Sequence, residues 1–370
     1  MRLLAGMVLA LASAAPAAAA DTIGHSTVTD GPVIADDRAV WADETPSRAI
    51  RVLTMRAGGR PAVAWRWARP AGRRTDRAVW SLAAGGRRSA AIVGTCTHPG
   101  TYELARCATR AFSGPFTRMR GPRLPERVDR RCLGDVRHPR EVAILHRWIA
   151  TLVERLCPAM GIESLGARRR IEVRGAGRRL EIPASRGFGL RLAGRYLAWQ
   201  DGFSRVVLYD LRRGEIVRRV GSTRLRAAGV DVQADGTIAF TRFGPGARVC
   251  VTTISRAGGE HEVACRFEST VASDAQVGGS GGIGADPSVA IAAGRVLYLR
   301  FGSKLVLQRT GGEPAVLARF RPQAQRVGGF DLGPASAVWA RQRQRFAPGP
   351  DGMPQGPEPV GKPQVVLRRL

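Results

Sequence analysis

A short phrase recurs along this chain: a polar residue, an apolar run ending in an aromatic, a polar stretch, a second apolar run and a glycine turn. It reads Arg38-Ala-Val-Trp41, Arg195-Tyr-Leu-Ala-Trp199, Thr237-Ile-Ala-Phe240, Arg295-Val-Leu-Tyr298 and Ser336-Ala-Val-Trp339. Trp199 and Phe240 lie 41 residues apart, as do Tyr298 and Trp339. That period suits the four-stranded blades of a β-propeller and not a helical repeat. Within the clearest copy, strands are expected at Phe188–Leu192, Arg195–Trp199, Arg205–Leu211 and Glu215–Val220, with turns at Ala193-Gly194, Asp201-Gly202 and Arg213-Gly214. Unbroken apolar runs such as Val206-Val-Leu-Tyr209 fit strands covered on both faces, as stacked blades are.

This reading predicts an all-β protein with six blades, at about 31–66, 75–182, 187–222, 228–268, 287–320 and 328–370. The second blade is the ambiguous one. Arg77-Ala-Val-Trp80 copies the phrase, yet Ala83 to Ile92 resembles the turn and second strand of the other repeats, so a shifted register gives five or seven blades. A sandwich or barrel of short strands is the alternative architecture. Residues 113–170 read as an insertion in that blade. Val142, Leu145, Ile149, Leu152, Val153 and Leu156 recur at helical spacing after Pro139, which predicts an amphipathic helix pinned by Cys132 and Cys157. The last repeat supplies three strands, so the strand-like segment Thr22 to Asp30 is expected to pair with the C-terminal strand and close the ring.

Residues 1–20 have the pattern of a secretory signal: Arg2, an apolar run from Leu3 to Leu11, and small residues before Asp21. Residues 21–370 are then expected to form one exported, extracytoplasmic propeller domain, monomeric and without a membrane span. The six cysteines suit three disulfides in such a compartment, paired Cys96 with Cys107, Cys132 with Cys157, and Cys250 with Cys265 across a hairpin turning at Ala257-Gly258. No close cysteine pair suggests zinc, and no His-x-His or His-Glu-x-x-His spacing occurs among His25, His98, His138, His146 and His261, so neither a metal nor a cofactor is expected.

The formal charge is +28, which invites an anionic partner. However, only Lys304 and Lys362 are lysines, and abundant Arg, Ala and Gly together are what a GC-rich genome produces without selection for binding. The densest basic stretch, Arg168 to Arg186, has no interleaved aromatics, so specific nucleic-acid binding is not expected. Gly278 to Gly284 lacks the Gly-Lys-Ser/Thr ending of a phosphate loop, and the repeats contain no G-x-S-x-G elbow.

The segment Gln233-Ala-Asp-Gly-Thr-Ile-Ala-Phe240 resembles the WD40-like repeats of TolB-type propellers, whose blades carry a Pro-Asp-Gly turn before an apolar strand. Asp235-Gly236-Thr237 matches that turn, Ala234 replaces the proline, and the turn shrinks to Ala193-Gly194-Arg195 and Ala293-Gly294-Arg295 elsewhere. The resemblance implies a six-bladed exported propeller that binds proteins or other ligands, and it carries over no catalytic residue.

Three charges remain as candidate ligand-binding residues. Arg191, Asp231 and Asp331 occupy one position in three inner strands, within Leu-Arg-Leu, Val-Asp-Val and Phe-Asp-Leu, and are expected to converge near the axial channel. They serve either to hydrogen-bond blade to blade or to hold a channel ligand. The function expected is a non-enzymatic binding or scaffold module of the cell envelope, its partner a protein or an envelope polymer, anionic polymers included. The alternative is a hydrolase or lyase acting on such a polymer at the channel mouth. Catalytic residues are not assignable from the sequence.

Overall fold

The computed structural model describes residues 21–25, 31–45, 49–67, 75–97, 106–120, 136–156, 168–184, 187–202, 204–222, 224–245, 248–267, 289–300, 303–321, 324–345 and 358–370. Every regular element among them is a strand, and the strands form seven antiparallel sheets.

The first strand, β1 (Asp21–His25), belongs to the last sheet. Blade 1 comprises β2 (Val33–Ala35), β3 (Arg38–Glu44), β4 (Ile50–Arg56) and β5 (Ala62–Trp67). Blade 2 has three described strands, β6 (Thr75–Gly85), β7 (Arg88–Thr97) and β8 (Arg106–Pro115). Blade 3 is β9 (Val136–Leu145), β10 (Trp148–Leu156), β11 (Arg168–Gly175) and β12 (Arg178–Pro183). Blade 4 is β13 (Gly187–Ala193), β14 (Tyr196–Asp201), β15 (Arg205–Asp210) and β16 (Glu215–Val220). Blade 5 is β17 (Arg226–Val232), β18 (Ile238–Phe243), β19 (Arg248–Ile254) and β20 (Glu260–Phe267). Blade 6 is β21 (Val289–Ala292), β22 (Arg295–Arg300), β23 (Lys304–Arg309) and β24 (Ala315–Arg319). Blade 7 is β25 (Gln325–Leu332), β26 (Ser336–Arg345) and β27 (Glu358–Arg369), with β1 in fourth place.

The first strands of successive blades touch in one closed cycle, β2 to β6, β9, β13, β17, β21, β25 and back to β2. This is a β-propeller with seven blades, which corrects both the six read from the repeat and the six implied by the TolB-type resemblance. The stretch taken as one blade at 75–182 contains two, blades 2 and 3. The expected helical insertion is absent from the described residues of 113–170. Val142 to Leu156 instead forms the hairpin of β9 and β10, which turns at His146, with φ +48°, and Arg147. Its apolar residues mimic helical spacing because both faces of a blade strand are covered, so buried positions fall at any interval. The hairpin turn contains no glycine, which hid it.

Strand β14 illustrates the double coverage. Leu197 and Trp199 join a core cluster with Ile171 and Val173 of blade 3, while Tyr196 and Ala198 join one with Val230 and Phe240 of blade 5. The phrase's aromatic is therefore an inter-blade core residue, and Trp41, Trp199, Phe240, Tyr298 and Trp339 are all buried. The ring closes as anticipated through the N-terminal segment: β1 pairs antiparallel with β27, Asp21 opposite Leu367 and His25 opposite Gln364. Trp41 packs against Val338 and Leu367 across the same seam. Pairing gives β27 a partner on its outer edge and completes the four-stranded sheet of blade 7.

Cys250 and Cys265 are cross-strand partners in β19 and β20 and form a disulfide, their Cα atoms 4.1 Å apart. Cys96 and Cys107 are backbone partners in β7 and β8. Cys132 and Cys157, like residues 1–20, His98 and Gly278 to Gly284, lie outside the described residues. No helix among the described residues is long and apolar enough to cross a membrane.

Candidate functional site

Each inner strand is paired on one side only, so its free edge presents backbone N–H groups that need acceptors. Three of these strands share one local device, which in two of them supplies an acceptor to the next blade. Gly189, Gly229 and Gly329 adopt positive φ of +68°, +56° and +139°, and each sits at a register shift. Two residues later come Arg191, Asp231 and Asp331, paired with Ala198, Ala239 and Val338, in each case the residue before the phrase's aromatic. The bulge re-aims the strand, as bulges do, and the shared position inferred from sequence is a shared structural position.

The two aspartates fasten neighbouring blades. Ile291 N–H donates to Asp231 Oδ2 at 2.7 Å, joining blade 6 to blade 5. Ile34 N–H donates to Asp331 Oδ2 at 2.8 Å, joining blade 1 to blade 7 across the closure. Asp331 Oδ1 also accepts Leu332 N–H at 2.9 Å. In the receiving blades the position equivalent to the aspartate is Ala290 or Val33, which carries no polar group.

Arg191 donates from Nη1 to Leu190 O at 2.9 Å and places Nε 3.9 Å from Asp231 Oδ1. This contact is too long for a hydrogen bond, so the attraction is a weak Coulombic one. Burial, reinforced by the Asp331 charge, pushes Asp231 up from 3.8 to about 7, against the opposing pull of Arg191 and of the Ile291 and Val232 N–H groups. Burial raises Asp331 too, opposed by Ile34 N–H, Arg191 and Leu332 N–H. All three predicted charges thus interact, although they come from blades 4, 5 and 7. A carboxyl that holds its proton near neutrality can take part in proton transfer, yet no hydroxyl, thiol or imidazole is among the groups that shift either aspartate.

Sequence reasoning missed three further fasteners. Glu141 Oε2 accepts Leu190 N–H at 2.9 Å, joining blade 4 to blade 3, and Ser81 Oγ accepts Val142 N–H at 3.2 Å, joining blade 3 to blade 2. Gln200 Oε1 accepts Gly229 N–H at 2.9 Å between blades 4 and 5. Glu141 was obscured by the helical reading of its segment. The Gly-apolar-charged-apolar pattern at 189, 229 and 329 was the available signal for the bulges. Gly229→Ala is expected to cost about 1–2 kcal/mol, because an L side chain is strained at positive φ. Urea unfolding checks this, and an unchanged midpoint would show that the bulge does not need glycine.

Cys250, Glu262 and Cys265 form a potential metal-ligand trio, but their sulfurs are already bonded to each other, so neither thiolate is available as a ligand.

No protein-family model matches the chain, and no curated protein matches it in sequence. Solved structures do resemble it. One is a prolyl endopeptidase, 12% identical over 90% of this chain with a TM-score of 0.50; this chain spans 49% of that one, about half its length. Others are the β-propeller domain of Cps50 (Swd1) from Myceliophteria thermophila, 11% identical over 94% of this chain and 98% of that one with a TM-score of 0.46, and YCF48 bound to D1 peptide, 8% identical over 96% of each chain with a TM-score of 0.49. At such identities the first likeness is one of fold alone, and it agrees with the closed cycle of inner strands: the chain is a β-propeller, and its own pairing gives seven blades.

Proposed function

We propose that this protein is an exported, non-enzymatic propeller that acts as a protein- or polymer-binding scaffold of the cell envelope. The observation that carries the reading is the use made of its channel-side carboxylates. Asp231 and Asp331 are occupied in accepting backbone N–H groups of the next blade, at 2.7 and 2.8 Å. They hold the ring, leaving recognition to rims and loops on a rigid scaffold. Export is supported by the signal-like residues 1–20 and by the Cys250–Cys265 disulfide, a bond that persists outside reducing compartments.

The test is sedimentation of the protein with isolated envelope material and with an unrelated polyanion, each at low and high salt. Binding to the envelope that survives high salt, while binding to the polyanion is erased, is the expected result. Equal and salt-erased binding to both would reduce the interaction to the screened field of a +28 chain and refute the proposal.

A hydrolase or lyase acting on an envelope polymer is the second reading, favoured by one observation: Asp231 sits at about 7, where a general acid or base works best. Asp231→Asn and Asp331→Asn separate the readings. Loss of polymer turnover with the fold intact supports the enzyme, whereas retained envelope binding without any turnover in the wild type supports the scaffold.

A further inference from the structure

Between the rims of blades 6 and 7 lies a cleft of about 500 Å3 with an apolar floor that includes Leu307 and Leu317, and with Arg295, Arg309, Arg368 and Arg369 around it; Glu313 is its one acidic side chain. Arg295 and Arg309 are direct cross-strand partners in β22 and β23, an arrangement in which like charges repel. Burial, and then the Arg309 charge, lowers the affinity of Arg295 for its proton. Arg368 Nη1 donates to Leu317 O at 2.7 Å, Arg295 donates to Pro334 O, and Arg369 donates to Ala57 O. Carbonyl dipoles of this kind orient guanidinium groups without cancelling their charge. Among the described residues, none of the four arginines has an ion pair with a carboxylate.

In two sister blades the charge at this rim is balanced by an acid. In blade 4 Arg195 lies in the turn that leads into the matching strand, and its Nε lies 3.1 Å from Asp210 Oδ2, a buried acid at the end of β15. Register places Arg309 of blade 6 where Asp210 stands in blade 4, since Asp210 pairs with Tyr196 and Arg309 with Arg295, each three residues before the aromatic of its strand. Gln308 is neutral and is engaged with Tyr298 Oη at 2.8 Å and Gly312 O at 3.0 Å. In blade 1, Arg38 and Arg56 also face each other, but Asp37 supplies the counter-charge, with Oδ2 3.6 Å from Arg56 Nε. Gly294 occupies that position in blade 6. Blade 6 keeps the arginine of the repeat, adds a second one opposite it, and lacks both acids that balance the charge in its sister blades.

We propose that this cleft is a binding site for a multiply charged oxyanion, a phosphate or polycarboxylate group, held by Arg295, Arg309 and Arg368 with Arg369 at its edge. The planar guanidinium fork matches the oxygens of such groups and forms paired, charge-assisted hydrogen bonds with them. The site rests on the geometry of blades 6 and 7 and stands whether or not the protein serves the envelope.

Isothermal titration of the full chain with pyrophosphate and, separately, with citrate in low-chloride buffer tests it, using Arg309→Gln, Arg368→Gln and the distant exposed control Arg66→Gln. The expected result is one saturable site for at least one probe, weakened tenfold or more by Arg309→Gln and by Arg368→Gln, and changed less than twofold by Arg66→Gln. Saturation by pyrophosphate alone identifies the ligand group as phosphate, by citrate alone as carboxylate, and by both as recognition of charge density; each supports the site. No saturable binding of either probe, or equal weakening by Arg66→Gln and Arg309→Gln, overturns it.

Discussion

Replacing Asp231 by Asn is expected to remove a fall in stability between about pH 4 and 7 and to leave the protein more stable than wild type above pH 7. The folded state holds the Asp231 proton up to about 7, because burial and then the Asp331 charge disfavour the carboxylate, whereas the unfolded chain releases it near the ordinary 3.8. Within that window the folded protein binds more protons than the unfolded one, so the free energy of unfolding falls as pH rises. The contribution is fully present below the unfolded value and lost once pH has passed the folded one. At about 1.4 kcal/mol per tenfold change in proton affinity, the whole effect is on the order of 4 kcal/mol at most. Asn keeps one carbonyl oxygen for Ile291 N–H but loses the acceptor for Val232 N–H, which reduces the net gain at pH 8 to about 1–3 kcal/mol after about 1–3 kcal/mol for the unsatisfied N–H is subtracted. Asp231→Ala removes both acceptors and strands a buried N–H, so it is expected to be less stable than Asp231→Asn by about 1–3 kcal/mol. Urea unfolding of the three proteins at pH 5, 6, 7 and 8 decides the matter. A variant Asp231→Asn that retains the wild-type slope would place the titrating group elsewhere.

How far the sequence reaches is visible in these same residues. Blades 1, 4, 5, 6 and 7 were legible because each repeats one aromatic at one strand position, and each of these aromatics is buried: Trp41, Trp199, Phe240, Tyr298 and Trp339. The convergence of Arg191, Asp231 and Asp331 was legible for a related reason, since apolar residues flank each charge at the same spacing and the three strands share one register. Blades 2 and 3 were not separable. Blade 3 carries no aromatic at the equivalent place in β10, and its hairpin turns on His146 and Arg147 without the glycine that marks other turns. Two-sided burial also erases the alternation that distinguishes a strand from a helix. What the chain could not reveal by pattern is which N–H each acid accepts, because that depends on the twist of the neighbouring blade. The arginine cleft was invisible for the same reason: Arg295 and Arg368 are 73 positions apart, and only the stacking of blades 6 and 7 brings them to one cleft.

Glu154→Ala is expected to destabilise the protein by about 3–5 kcal/mol, the usual cost of removing one member of a buried ionic group and leaving its partners unpaired. Glu154 lies in the second strand of blade 3 with 3% exposure. Its Oε2 accepts Arg140 Nε at 2.6 Å, and its Oε1 accepts Arg169 Nε and Nη2 at 3.0 and 2.9 Å. Arg169 also donates to Gly187 O at 3.2 Å, so the group carries the join from blade 3 to the start of blade 4. Arg140 in turn lies over the Trp80 ring of blade 2, 5.2 Å from its centroid. Burial alone would raise the Glu154 carboxyl, but the charges and hydrogen bonds of Arg140 and Arg169 outweigh it and hold the group below its ordinary 4.5. The sign is therefore opposite to that of Asp231. The stabilisation is present above 4.5 and is lost as pH falls through the lower folded value, so wild type is expected to lose stability on acidification below about pH 4.5, and Glu154→Gln is expected to lack that loss. Packing decides whether the charges or the shape matter. If the cost is that of stranded guanidinium groups, the triple replacement Arg140→Met, Glu154→Leu and Arg169→Met recovers most of the stability lost in Glu154→Ala, since apolar groups of similar volume substitute well for buried ion pairs. If the triple variant is as unstable as the single one, the Arg169 bond to Gly187 and the Arg140 contact with Trp80 hold the blades together, and the ion pairs serve only to position those two side chains.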